Sequence, residues 1–147
     1  MFKEDVSKAT GKLTIEIKND KGIVVETKEV KNLVVDAGLA YIANRMKDAS
    51  ATAMTHMGIG TGSTAAAAGD TTLGTESARV ALTSTTVTAN AVAFVASFAA
   101  GTGTGAIAEA GILNANASGT LLCRTVFSVV NKAVTDSMTI TWTVTIS

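Results

Sequence analysis

The stretch that decides the fold is Asp136-Ser137-Met138-Thr139-Ile140-Thr141-Trp142-Thr143-Val144-Thr145-Ile146-Ser147. Met138, Ile140, Trp142, Val144 and Ile146 recur at every second position, with Thr139, Thr141, Thr143 and Thr145 between them. Successive side chains of a strand point to opposite faces, so the apolar set lines one face and the β-branched threonines the other. A helix would scatter the same residues around its circumference. A slip of one residue would turn Trp142 out to water, which specifies the register. The reading predicts a strand crossing the core of an antiparallel β domain.

Working back from that strand, the second half of the chain is strand and turn. Short strands are expected over residues 79–83 and 85–89. Residues 91–99 place Val92, Phe94, Ala96 and Phe98 on one face, and further strands follow at 107–114 and 121–130. Gly101-Thr102-Gly103-Thr104-Gly105 is a turn. Turn signals at intervals of about 8–12 residues predict a β-sandwich or jelly-roll-like domain. Nearer the N-terminus, Leu13, Ile15 and Ile17 alternate with polar residues. Asn19-Asp20-Lys21-Gly22 then turns the chain into a second strand over residues 23–30. Asp36 is a good N-cap for one short helix over residues 37–49, with Leu39, Ile42, Ala43 and Met46 at helical spacing. His56 lies in a strand that runs into a glycine-rich loop at residues 61–69.

A chain of 147 residues suits one domain that buries roughly two-thirds of its unfolded surface. Hydrophobic residues make up 47% and aromatics only 4%, so the core must rest on Val, Ile, Leu, Ala and Met. Twelve basic residues balance twelve acidic ones, which removes any broad pull toward nucleic acid or an anionic membrane. Charges at Lys3, Glu4 and Asp5 stand where a signal peptide needs an apolar run. No stretch reaches the roughly 18 apolar residues of a membrane span. Cys123 is the single cysteine and makes no internal disulfide, which fits synthesis in a reducing cytoplasm.

The charges are unevenly placed. Seven lysines and six acids fall within residues 1–31, whereas from residue 49 onward only Asp70, Glu76, Arg79, Glu109, Arg124, Lys132 and Asp136 occur. Soluble domains usually carry about a quarter charged residues. A surface of Ala, Thr, Gly and Ser with so few charges is expected to meet other protein, although a plain threonine-covered sheet gives the same composition. The sequence thus divides into a charged N-terminal hairpin arm, residues 1–31, and a β-sandwich body, residues 32–147.

Candidate chemistry is sparse. Gly60-Thr61-Gly62-Ser63-Thr64-Ala65 fits G-x-G-x-x-A after a strand, but a dinucleotide site also needs a long helix starting there and a parallel sheet. No Lys follows the glycines, so a P-loop is excluded as well. His56 and Cys123 would form a nucleophile pair only if the fold brought them together. The more ordinary reading is a packed histidine and an inert buried thiol. Asp70, Glu76, Glu109 and Asp136 are far apart in sequence, lack calcium-loop spacing, and read as caps and turn residues. The expectation is a non-enzyme with no cofactor and no metal.

Several stretches taken in order resemble a family of tailed-bacteriophage virion proteins. They are Asn32-Leu33-Val34-Val35-Asp36-Ala37-Gly38-Leu39; Met57 to Ala65; Asp70-Thr71-Thr72-Leu73-Gly74-Thr75-Glu76 with Arg79; Glu109-Ala110-Gly111-Ile112-Leu113-Asn114; Gly119 to Phe127; and the terminal threonine-alternating strand. Proteins with this pattern are similar to capsid decoration (cement) proteins and to tail-fibre or baseplate components. The resemblance implies a virion structural protein assembled in the host cytoplasm. It would sit on the capsid surface against the major capsid protein and self-associate as a homotrimer on three-fold positions, without nucleic acid or membrane. The arm is expected to reach the shell or a neighbouring subunit through Phe2, Lys12, Glu16, Lys18, Lys21 and Lys28. The alternative within the resemblance is a tail-fibre or baseplate protein that contacts the host. A small cytosolic ligand-binding β domain is a third class, and it would need a polar-lined pocket.

Overall fold

The computed structural model describes residues 9–47 and 51–146. The C-terminal strand β9 (Ser137–Ile146) forms as its alternation requires: Met138, Ile140 and Trp142 are fully buried and Val144 nearly so. It pairs antiparallel with β1 (Ala9–Lys18) on one side and β6 (Ala91–Phe98) on the other. Trp142 stands between Leu13 and Phe94, Ile140 between Ile15 and Ala96, and Met138 between Ile17 and Phe98. These cross-strand rows are the unit of sheet stabilisation, and here each row is apolar on the inner face.

The remaining strands are β2 (Val24–Val34), β3 (His56–Gly60), β4 (Glu76–Ala81), β5 (Ser84–Thr88), β7 (Gly105–Leu113) and β8 (Leu121–Lys132). All nine form one antiparallel sheet in the order β4-β3-β7-β8-β2-β1-β9-β6-β5. The sheet curls like half a barrel. Its two end strands, β4 and β5, are consecutive in the chain and separated only by Leu82 and Thr83. The Leu82 N–H donates to the Thr55 carbonyl at 2.8 Å and the Thr83 N–H to the Val95 carbonyl at 2.7 Å, which draws the two ends together. The concave side holds one core that includes Leu13, Ile15, Met57, Ile59, Phe94, Phe98, Ile112, Phe127 and Trp142. Among the described residues the protein is therefore mainly β with one helix.

The hairpin of β1 and β2 differs from the expected arm. Its turn forms as anticipated: Asn19 Oδ1 accepts from the N–H groups of Lys21 and Ile23, and Gly22 takes φ +74°. Its strands, however, lie in the middle of the sheet. Leu13, Ile15 and Ile17 are at most 1% exposed and belong to the same core as Trp142, so the boundary at residue 31 separates nothing. A charge block on alternate positions marks one face of a strand, and that strand can be central. Residues 1–8, including Phe2, lie outside the described residues.

Strand β2 joins the two parts of the sheet. It pairs with β1 from Asn32 to Val24, but with β8 only at Leu33–Arg124 and Val34–Cys123. Helix α1 (Asp36–Lys47) follows, with Tyr41 and Ile42 packed on the core and its basic residues Arg45 and Lys47 in the last turn, where they complement the helix dipole. The expected end of this helix, residues 48 and 49, lies outside the described residues. Among the described residues no helix is long and apolar enough to cross a membrane.

Trp142 anchors the central rows, yet among the described residues its indole N–H has no hydrogen-bond partner. Trp142→Ala is expected to cost about 3–5 kcal/mol in urea unfolding. Trp142→Phe is expected to cost clearly less than the alanine variant, because it also removes a buried unpaired donor.

Candidate functional site

The largest departure from the sequence reading is on the convex side of β3, β7 and β8. There the glycine-rich loop, residues 61–75, folds down over the sheet. Strand β7 reads Ile107-Ala108-Glu109-Ala110-Gly111-Ile112-Leu113 and is buried on both faces. A register shift between Ile107 and Glu109 turns Glu109 and Gly111 to the convex side, where Leu73 from the loop packs with Val35, Leu113 and Leu121 as a second small core. Gly111 stands directly opposite Arg124 on β8, so Glu109 and Arg124 are diagonal neighbours on the same face.

Glu109 is fully buried, and its carboxylate is the point to which the loop is tied. Oε1 accepts from the backbone N–H of Gly62 at 3.1 Å and of Thr75 at 2.6 Å, and Oε2 accepts from the N–H of Gly74 at 2.8 Å. Arg124 donates to Oε2 through Nε at 3.0 Å and lies within 2.9 Å of it through Nη2. The rest of the guanidinium fastens the loop's far limb: Nη1 reaches Asp70 Oδ2 at 2.8 Å and Nη2 the Thr64 carbonyl at 3.0 Å. Asp70 in turn accepts from the Ala67 N–H at 2.9 Å. The Ala68 carbonyl receives the N–H of Asp36, which links the loop to the start of α1.

This arrangement explains the glycine pattern. A Cβ on Gly62 would collide with the Glu109 carboxylate, and one on Gly60 with the Thr75 carbonyl. Glycines in nucleotide loops let backbone N–H groups approach a phosphate. Here the anion is the protein's own carboxylate, and its acceptor positions are filled. Ala65 to Ala68 form no helical turn.

The electrostatics follow from these bonds. Burial alone would raise the Glu109 carboxyl, but the N–H groups of Thr75 and Gly74 and the Arg124 guanidinium outweigh it and hold the group below its ordinary value. Asp70 is likewise lowered, first by the Ala67 N–H and then by Arg124. Desolvation would lower Arg124, but its bonds to Asp70 and Glu109 raise it instead.

A second arginine fastens another loop. Arg79 grips Glu76 with Nε and Nη2 at 2.8 and 2.9 Å, while its Nη1 donates to the carbonyls of Ala115 and Ser118. Lys132, buried to 1% exposure, donates to the carbonyls of Ala99 and Asp136 at 3.0 and 2.7 Å and holds the turns at one end of the sheet. Desolvation lowers its ammonium group, partly offset by Asp136. Asp136 accepts from the Ala133 N–H at 2.9 Å. Each of the seven charged residues beyond residue 49 is thus bonded within the chain.

The remaining candidates separate. His56 lies on the convex face of β3, with Nδ1 2.7 Å from the Thr55 hydroxyl. Cys123 faces the core from β8, with β7 between the two strands, so the two side chains do not meet. Burial pushes the Cys123 thiol well up, which makes it a poor nucleophile. Lys12, Glu16, Lys18, Lys21 and Lys28 all lie on β1, β2 or their turn. Lys12 pairs with Glu29 at 2.8 Å and Lys18 with Glu16 at 3.5 Å. Lys28 reaches across to the Ser128 carbonyl at 2.6 Å. Among the described residues no cluster of His, Cys, Asp or Glu could hold a metal ion. An apolar groove of about 390 Å³ opens between α1 and the sheet, lined by Ile42, Met46, Phe94, Leu122, Val144 and Ile146 among others.

The fold and this site define a small antiparallel β protein whose loops are fastened to the sheet by arginine–carboxylate pairs, of which Arg124–Glu109 is fully buried. Compared with known proteins, the chain matches no family model, no curated protein and no solved structure.

Glu109→Gln leaves the shape but puts an amide NH₂ against backbone donors and strips Arg124 of its buried partner. The expected loss is about 3–5 kcal/mol in denaturant unfolding, the range for breaking a buried pair. Because Glu109 and Asp70 sit below their ordinary values of 4.5 and 3.8, their contribution is complete above those values and is lost as pH falls through the depressed ones. Thermal melts are therefore expected to show stability falling below about pH 4, with a shallower acid limb in Glu109→Gln.

Proposed function

We propose that this protein is a phage capsid decoration (cement) protein, which binds the outer surface of the head shell and stabilises contacts between capsomers. The observation that carries this reading is the disposition of charge. From residue 51 onward every charged side chain is committed to an internal bond, which leaves mainly Thr, Ser, Ala and Gly, with exposed Val87, Val129 and Val134, to supply the outer surface of those strands and loops. Free-standing surfaces keep unpaired charges for solubility, whereas the centres of protein interfaces are depleted of them. Solvent-exposed charges concentrate instead on the β1–β2 hairpin, where Lys21 and Lys18, the latter in an exposed pair with Glu16, stand near its tip.

In this reading the flanks of the curled sheet act as the two layers of a sandwich-like body. The charge-poor flank lies against neighbouring protein, and the hairpin tip gives the contact its orientation. The arm-like role belongs to the tip alone, because the hairpin's strands carry the core. The gain per copy comes from apolar burial at about 25 cal/mol per Å², reduced by ordering costs, and repetition around a shell adds to it. Phe94, Phe98, Phe127 and Trp142 are all buried, which disfavours the tail-fibre alternative, since host-contact tips expose aromatic anchors.

The test is the copy number of the protein per purified particle, measured by quantitative mass spectrometry. Hundreds of copies are expected; a handful would move the protein to the tail and end the decoration reading. In shell-binding assays, the double variant Lys18→Glu, Lys21→Glu is expected to lower occupancy about tenfold, equivalent to about 1.4 kcal/mol, with an unchanged melting temperature.

A further inference from the structure

We propose that two copies of this protein associate through strand β5, whose outer edge pairs antiparallel with the same edge of the second copy across a two-fold axis. Strand β5 ends the sheet: one side is bonded to β6, and among the described residues no strand lies along the other. That side presents a row of backbone donors and acceptors, and the group that satisfies such a row is another strand. Exposed edges are normally guarded by charge, proline or a bulge. The opposite end of the sheet follows that rule, since β4 carries Glu76 and Arg79. Strand β5 reads Ser84-Thr85-Thr86-Val87-Thr88, has no guard of any kind, and is exposed along its whole length.

Three features make the occupant a second copy. The strand carries no charge, so pairing it with itself sets no like charges opposite each other. It is short and uniformly β-branched or hydroxylated, which suits a self-complementary, isologous contact. The faces also match. Thr85 and Val87 stand opposite Phe94 and Val92 of β6 and share their side of the sheet, and Thr85 lines the apolar groove. A two-fold axis at Thr86 sets Val87 of each copy against Thr85 of the other. Val87, 70% exposed in the single chain, then comes against Thr85 at the rim of the partner's groove. The contact extends beyond the proposed function and does not depend on it. It also differs from the three-fold arrangement that the virion resemblance implies.

Two five-residue edges form a small interface, below about 1,200 Å² in total, so association is to be read near 100 µM rather than at nanomolar concentration. Light scattering of the full chain is expected to give twice the chain mass of 14.9 kDa. Thr86→Lys and Thr86→Glu each place two like charges across the axis and are expected to give monomers with unaltered circular dichroism. Mixing the two variants in equal amounts is expected to restore the dimer, a rescue that a merely structural role for Thr86 would not produce. Should either variant fail to fold, Thr88→Lys, which would face Ser84 of the second copy, reads the same contact. A monomeric wild type at that concentration, a mass of three copies, variants that keep the wild-type mass, or a mixture that stays monomeric would each overturn the proposal. Loss of shell binding with an intact dimer would sink only the decoration reading.

Discussion

Burying Glu109 without protonating it is the constraint on which one flank of the structure depends. A carboxylate removed from water must recover its solvation from fixed donors, or it takes up a proton. Glu109 recovers it from three backbone N–H groups and a guanidinium, and those donors come from chain segments far apart in sequence: Gly62, Gly74 with Thr75, and Arg124. The long loop, residues 61–75, therefore has one conformation rather than many. Its Leu73 completes the second core, and its Ala68 carbonyl receives the first N–H of α1. Replacing the pair by apolar groups of similar size would leave three N–H groups unpaired, which is why the charge is integral to the loop.

The other flank is held by a different means. Between β1, β9 and β6 the rows of Leu13, Trp142 and Phe94, and of Ile15, Ile140 and Ala96, are apolar burial in unbroken register. One flank is zipped by hydrophobic alternation and the other is tied by ions and glycines. Both enclose a single core, because Ile59 and Met57 on one side pack with the same cluster as Trp142 on the other. This division also disposes the surface. Ion pairs consumed in fastening loops leave a charge-poor exterior on the tied flank, while charges on β1 and β2 stay on the outward positions of a central hairpin.

Strand positions were legible because period-two alternation is local. The terminal strand, the Asn19–Gly22 turn, the helix beginning at Asp36 and the turn at Gly101 to Gly105 all fall within a few residues of where the pattern puts them. The neighbours of each strand were not legible. Alternation says which side chains face inward but not which strand lies alongside, so the charged hairpin read as an arm although β1 sits between β2 and β9. The Glu109 site left a signal that sequence reasoning passed over. One acid stands inside the otherwise apolar run Ile107 to Leu113 and one arginine inside the largely apolar run Leu121 to Phe127, and neither run has a solvated face. Opposite charges isolated on two such strands are candidates for a buried pair. Asp70, with ordinary loop residues around it, offered no comparable sign.

The junction at β2 sets how the molecule yields under load. Below Leu33 and Val34 the ladder to β8 stops, and side chains bridge the gap: Lys28 Nζ to the Ser128 carbonyl and hydroxyl, and the Thr125 hydroxyl to the Lys31 carbonyl. A seam closed by side chains is softer than a ladder, since its bonds exchange readily with water. The line between β2 and β8 is therefore where the sheet has the fewest backbone pairs to resist bending.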